Sequence, residues 1–255
     1  MRIGKMLGKI APVMAIVAAA GLAGCGDMDL QFGDTEGVPL AELDLTGDAP
    51  TSFVLAAPDS VVITDGDEFT IDVEGSAEAQ DRMRFALDGD SLAVHRQEGE
   101  WPDGDLATIN ITMPALESLV MAGSGSITTD AMASRAEITM AGSGTITANG
   151  IATESMEVTV AGSGTVTATG TTDRLELTVA GSGSADMEGL EAERAEVTVA
   201  GSGDAAFASN GTVDASIVGS GNVRVRGSAR CDVSTVGSGE LVCEEGVVEG
   251  TEEED

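Results

Sequence analysis

Between Ala122 and Gly239 apolar and polar residues alternate on both sides of a recurring Gly-Ser-Gly tripeptide. In the stretch 156–168, Val158 and Val160 share one parity while Glu157 and Thr159 take the other. Beyond the tripeptide, Val166 and Ala168 point one way, and Thr165 and Thr167 the other. A period of two with β-branched residues predicts half-buried strands. Each strand has only five or six residues, so one repeat cannot bury its own apolar side, whereas stacked repeats can.

The tripeptide begins at Gly123, Gly142, Gly162, Gly181, Gly201, Gly219 and Gly237, a period of about 19 residues. Two residues before each first glycine stand Met121, Met140, Val160, Val179, Val199, Ile217 and Thr235. Four before it stand Leu119, Ile138, Val158, Leu177, Val197, Ala215 and Val233, and four after it Ile127, Ile146, Val166, Ala185, Ala205, Val223 and Leu241. These are inward columns. Three before the glycine lies an outward column of Thr139, Thr159, Thr178 and Thr198 that ends in Ser216 and Ser234. A second glycine recurs at Gly150, Gly170, Gly189 and Gly227. Each repeat is then a coil: a Gly-Ser-Gly corner with two flanking strands, a second corner and a short third side. The expected fold is an all-β, single-stranded parallel β-helix, a right-handed solenoid of roughly triangular section with seven Gly-Ser-Gly corners. Equivalent residues should lie about 4.8 Å apart on successive coils.

Outside the repeats the pattern changes. Residues 1–25 have the form of an export signal: Arg2, Lys5 and Lys9, then an apolar run from Ile10 to Ala23 that is too short to span a bilayer. The run ends Leu22-Ala23-Gly24-Cys25, which resembles a bacterial lipobox and implies lipidation of Cys25. With Gly26 next, the resemblance implies a lipid-anchored envelope protein delivered to the outer membrane. Residues 26–50 are acidic, lack periodicity and read as a flexible tether. Alternation resumes at Ser52, with strands near 52–57, 60–64, 68–74, 83–88, 91–96 and 108–113. Asp65-Gly66-Asp67 and Asp88-Gly89-Asp90 read as tight turns between them. The block 51–118 is expected to supply atypical capping turns, 119–246 the regular coils, and 247–255 a disordered acidic tail.

Several stretches together resemble a known family. They are Phe53, Val61-Val62-Ile63, Gly66-Asp67, Ile71-Asp72-Val73-Glu74 and Gly89-Asp90-Ser91-Leu92-Ala93-Val94. Ile109-Asn110-Ile111-Thr112-Met113-Pro114 and Leu116-Glu117-Ser118-Leu119 follow, running into the first Gly-Ser-Gly. This order is similar to the head GIN domain of auto-transporter adhesins, the DUF2807 type, over about residues 50–246. The resemblance implies a parallel β-helix on the bacterial envelope and brings no catalytic residues with it.

Charge narrows the partners. Three of the 12 basic residues lie before Cys25, leaving nine arginines against 44 acids. Nucleic acid and anionic lipid surfaces both require a basic face, so neither is an expected partner, and self-repulsion favours a monomer. The ligand of such an envelope protein is left open by the sequence. Five Phe, one Trp and no Tyr suit a narrow lumen rather than a sugar-binding cleft. Cys231 and Cys243 flank the last corner, facing inward. In an oxidising envelope they are either a disulfide closing the final coil or two buried thiols on opposite strands.

Five residues before the tripeptide, Glu137, Glu157, Glu176, Glu196, Asp214 and Asp232 form an outward acidic ladder. It is a solvated, edge-protecting face or a cation-binding one, although one carboxylate per coil chelates poorly. With His95 the only histidine, neither a zinc set nor Ser-His-Asp chemistry is in view. The expected protein is non-enzymatic, without cofactor. The alternatives are a carbohydrate-active β-helix enzyme, which would need clustered carboxylates in a cleft, and a cation-binding solenoid.

Overall fold

The computed structural model describes residues 37–97, Gly99 and residues 104–252, which therefore leaves Cys25 and its lipobox outside the described residues. In chain order the strands begin with β1 (Ser52–Ala56), β2 (Ser60–Asp65) and β3 (Thr70–Glu74). The helix α1 (Ala77–Arg82) leads to β4 (Met83–Asp88), β5 (Ser91–Arg96) and β6 (Thr108–Met113). Next come β7 (Leu116–Met121), β8 (Ser126–Thr129), β9 (Met132–Gly142), β10 (Thr145–Gly162), β11 (Thr165–Gly181), β12 (Ser184–Gly201) and β13 (Asp204–Gly219). The chain closes with β14 (Asn222–Arg226), β15 (Arg230–Gly237), β16 (Glu240–Cys243) and β17 (Val247–Glu252).

From β7 onward every pairing is parallel and joins one coil to the next, so the solenoid expected from the alternation is the fold. Corner falls on corner: Gly142, Gly162, Gly181, Gly201, Gly219 and Gly237 are successive ladder partners. From the second tripeptide on, the serine donates its backbone N–H to the first glycine's carbonyl one coil below, as in Ser202 N to Gly181 O at 2.9 Å. The ladder therefore runs through the corner. In β10 the inward residues are Ile146 and Ala148, then Ile151 and Thr153, then Met156, Val158 and Val160. Parity breaks at Asn149-Gly150 and at Glu154-Ser155, which divides the coil into three sides.

The lumen is one apolar column. Met121, Met140, Val160, Val179, Val199 and Ile217 are all fully buried, as are Leu119, Ile138, Val158 and Leu177 beside them. Stacked small and medium side chains fill most of the narrow prism, with Phe53, Phe85 and Phe207 the largest residues buried in the core. On the third side the lumen admits hydroxyls: Thr153 Oγ1 donates to Thr172 Oγ1 at 2.9 Å, and Thr172 Oγ1 to the Arg174 carbonyl at 3.0 Å. Burial of a hydroxyl is tolerated because its donor is satisfied within the stack.

The amino-terminal end departs from chain order. β1 pairs in parallel with both β5 and β7, and β2 with both β6 and β8. The coil made of β5 and β6 therefore lies beneath the earlier coil of β1 and β2. Two antiparallel strands close the end, β4 on β5 and β3 on β6. Asp88–Asp90 is a hairpin turn, with Gly89 at φ 56°. Asp65-Gly66-Asp67, also expected to join paired strands, instead carries the chain from β2 to a strand on the far side of β6. The short α1 was not anticipated; Ser76 caps it by accepting from Ala79 N at 3.0 Å.

At the corner below the first Gly-Ser-Gly stands Ala57-Pro58-Asp59. Asp59 is fully buried there and pairs with Arg96: Nε to Oδ2 at 2.7 Å and Nη2 to Oδ1 at 2.5 Å. Arg96 also donates to the Asp105 carbonyl at 2.7 Å, and Asp59 Oδ1 accepts the Ala107 N–H at 2.7 Å. The hydrogen bonds that Arg96 donates to Asp59 raise its guanidinium above its ordinary value, against the opposite pull of burial.

Two expectations are corrected. The tether assigned to 26–50 is bound where it is described: Val38 bridges Phe85, a 3-10 turn spans Leu40–Glu42, and Leu40 and Leu43 pack on the core. Two half-buried leucines among the acids are enough to hold this stretch against the core. The tail assigned to 247–255 is strand β17 through Glu252, laid in parallel on β15. An open parallel edge satisfies backbone groups whatever the side-chain charge.

Cys231 and Cys243 are joined by a disulfide, with Cα atoms 6.8 Å apart and a sequence separation of 12. It ties β15 to β16 in the last full coil. Closing a loop of this size contributes about 2–3 kcal/mol. Reduction is expected to leave the rest of the solenoid intact and to speed amide exchange in β16 and β17 roughly 30- to 100-fold, read by hydrogen-exchange mass spectrometry. Equal exchange in both redox states would contradict this.

Candidate functional site

The outer face that ends at each Gly-Ser-Gly carries four columns, set by the period of two. Glu137, Glu157, Glu176, Glu196, Asp214 and Asp232 are consecutive ladder partners, so the acidic column predicted from sequence exists as one line of carboxylates. The serine and threonine column lies beside it, and a column of Ala141, Ala161, Ala180 and Ala200 borders the corner. On the other flank, two residues earlier in each coil, stand Arg135, Ser155, Arg174, Arg194, Thr212 and Arg230. The sequence reading missed this column; its signal was a fixed offset of seven residues before the glycine, masked by Ser155 and Thr212. All four arginines are exposed. Among the described residues no ion pair closes between the arginine and carboxylate columns; the pairs present are Arg82–Glu78, Arg96–Asp59 and Arg226–Glu188.

Burial raises the Glu157 carboxyl above its ordinary value, and the like charges of Glu137 and Glu176 add to the rise. A carboxyl raised in the folded state holds its proton more tightly there. Its charge thus opposes folding at neutral pH, and the opposition fades as pH falls through the folded value. Glu157→Gln is expected to stabilise the domain by a few tenths of a kcal/mol at pH 7, as removal of a like-charge cross-strand contact does. The gain should vanish below about pH 4 and shrink in high salt, as read by thermal melts. A gain independent of pH would assign it to something other than this charge.

The carboxylates stay one to a coil. Among the described residues no three His, Cys, Asp or Glu side chains gather as a metal would require. His95 sits half-buried on the outward side of β5 beside Arg84, at the end cap, where Gly37 crosses it. A recess on the third side, at the register slip between β12 and β13, is lined by Glu191, Glu193, Arg194, Asn210 and Thr212. There Asn210 Nδ2 donates to Glu191 Oε1 at 2.8 Å, and no aromatic ring lines it. No helix among the described residues is long and apolar enough to cross a membrane.

The family described as "Putative auto-transporter adhesin, head GIN domain" (DUF2807) matches residues 50–229, more than half of the chain. The chain belongs to this family. No curated protein matches it. The GIN domain is similar to a solved structure of a putative adhesin from Bacteroides fragilis, 18% identical with a TM-score of 0.70, over 77% of this chain and 93% of that one. It is also similar to a putative lipid binding protein from Parabacteroides distasonis, 23% identical with a TM-score of 0.62, over 77% and 93%. A putative adhesin from Parabacteroides merdae is 13% identical with a TM-score of 0.62, over 80% and 93%. At these identities the likeness concerns the fold. The family match stops at residue 229, so the disulfide coil of this GIN domain lies beyond it.

Proposed function

We propose that this GIN domain is a non-enzymatic, adhesin-like module of the bacterial envelope, held to the outer membrane by lipid on Cys25 and contacting its ligand through a flat outer face. The observation that supports the reading most is the shape of the surface. Its regular coils are joined by corners of a few residues, without the long loops or aromatic platforms that a carbohydrate-active solenoid would use. The recess at Glu191 and Glu193 offers the enzyme alternative its best ground, yet one of its carboxylates is engaged by Asn210. Family membership supports an envelope or surface setting, and the sequence Leu22-Ala23-Gly24-Cys25 supports the anchor. Two or more acyl chains on one cysteine bind a bilayer firmly.

The test is protease shaving of intact cells combined with labelling by a radioactive fatty acid. Label on the wild type, its loss in Cys25→Ala, and release of the folded domain by protease fit the reading. Complete protection of the domain in intact cells would remove the adhesive role and leave a periplasmic one.

A further inference from the structure

The side of the solenoid that follows each Gly-Ser-Gly differs from the acidic face. Its first outward column is Thr108, Ser60, Ser126, Thr145, Thr165 and Ser184, six hydroxyls on six consecutive rungs. The second is Asn110, Val62, Thr128, Thr147 and Thr167. None of these eleven side chains is charged and none is buried. Charge bounds the array at both ends: Asp72 and Glu74 of β3 lie beside Asn110 and Thr108, and Asp186 and Asp204 follow at the other end. In a chain with 44 acids, this is a charge-free patch of about two columns by five rungs, roughly 20 Å long.

We propose that this array is the ligand-binding face and that its ligand is an uncharged polysaccharide. The inference deepens the adhesin-like reading above and rests on it. Contact strips water from both surfaces, and a carboxylate stripped without a partner costs far more than a hydroxyl that finds one. Each of the other two outer sides carries acids, in the column from Glu137 to Asp232 and at Glu154, Asp173, Glu191 and Glu193; here a neutral partner can dock without burying a charge. The ladder backbone is already satisfied, so recognition falls to side chains. Threonine and serine hydroxyls both donate and accept, as where Ser126 Oγ donates to Ser60 Oγ at 3.0 Å, and so match a polymer whose hydroxyls also do both. The threonine methyls and Val62, 38% exposed, offer apolar contact to the C–H faces of sugar rings. Short side chains lose little rotamer entropy on binding. Rungs about 4.8 Å apart repeat one contact along a linear chain, and many anchored copies raise avidity without aromatic stacking.

The experiment is affinity electrophoresis of the folded domain in gels containing dextran, laminarin, galactomannan or soluble cellulose, with domain-coated beads on surfaces carrying the same polymers. At least one polymer should retard the wild type. Thr147→Glu/Thr167→Glu should weaken that binding at least ten-fold, whereas Thr178→Glu on the acidic face should leave it unchanged. Charge is tolerated in this column at Asp186 and Arg224, so the glutamate variant should fold, as a melt will verify. Thr147→Val/Thr167→Val, which keeps the volume and removes the hydroxyls, should also weaken binding. Failure of all four polymers to retard the wild type, or undiminished binding by the variants, would each overturn the proposal. If beads adhere to intact cells whatever stands at 147 and 167, the adhesin-like reading survives and this face does not; if they adhere to nothing, the reading itself falls.

Discussion

Asp59→Ala is expected to destabilise the domain by about 3–5 kcal/mol, more than any single change on its outer faces. The carboxylate is fully buried and engages the Arg96 guanidinium twice, as well as the Ala107 N–H. Its removal leaves the buried Arg96 guanidinium and the Ala107 N–H without this acceptor. A mere loss of contact area predicts a much smaller cost. The double variant Asp59→Leu/Arg96→Met distinguishes the two accounts: removing both charges should recover most of the loss. Urea denaturation of the three proteins gives the answer. A single-variant cost below about 1 kcal/mol would show that water reaches this pair.

Gly201→Ala should cost roughly 3 kcal/mol or more, lowering the melting temperature by about 6–12 °C for a domain of this size. Two constraints meet at this glycine. Its φ is +125°, a conformation that residues with a Cβ rarely adopt. An added Cβ would also stand 2.4 Å from the Gly181 carbonyl oxygen of the coil below, and that atom belongs to the ladder and cannot retreat. The neighbouring Ser202→Ala offers the comparison: its N–H, which makes the ladder bond, is kept, and the change should fall within about 0.5 kcal/mol. Equal melts for Gly201→Ala and Ser202→Ala would disprove the close-stacking account of the corner.

The regular coils were legible because every constraint on them is periodic. A column such as Val158, Leu177 and Val197 can be read by counting, and the ladder then places it. The acidic column was legible for the same reason. What lies at the ends was not. Alternation shows that 91–96 is a strand and gives no sign that it lies under β1, because either neighbour would bury the same face. Asp59 and Arg96 are 37 residues apart in sequence with no repeat to relate them, so their pairing follows only from the cap's strand order. For α1 a signal existed: Ser76-Ala77-Glu78-Ala79 lacks β-branched residues and begins with a good cap. At the tail, the run of acids hid two valines, Val247 and Val248, beside an open edge.

The placement of β5 and β6 beneath β1 and β2 gives the molecule a direction of growth. By the time residue 113 has left a ribosome or an export channel, one terminus of the prism is sealed and the other presents a finished template. Every later winding can settle as it emerges, touching only the one before it. Evolution can lengthen or shorten such a rod by whole windings at the free end, where a half-winding would turn its interior outward.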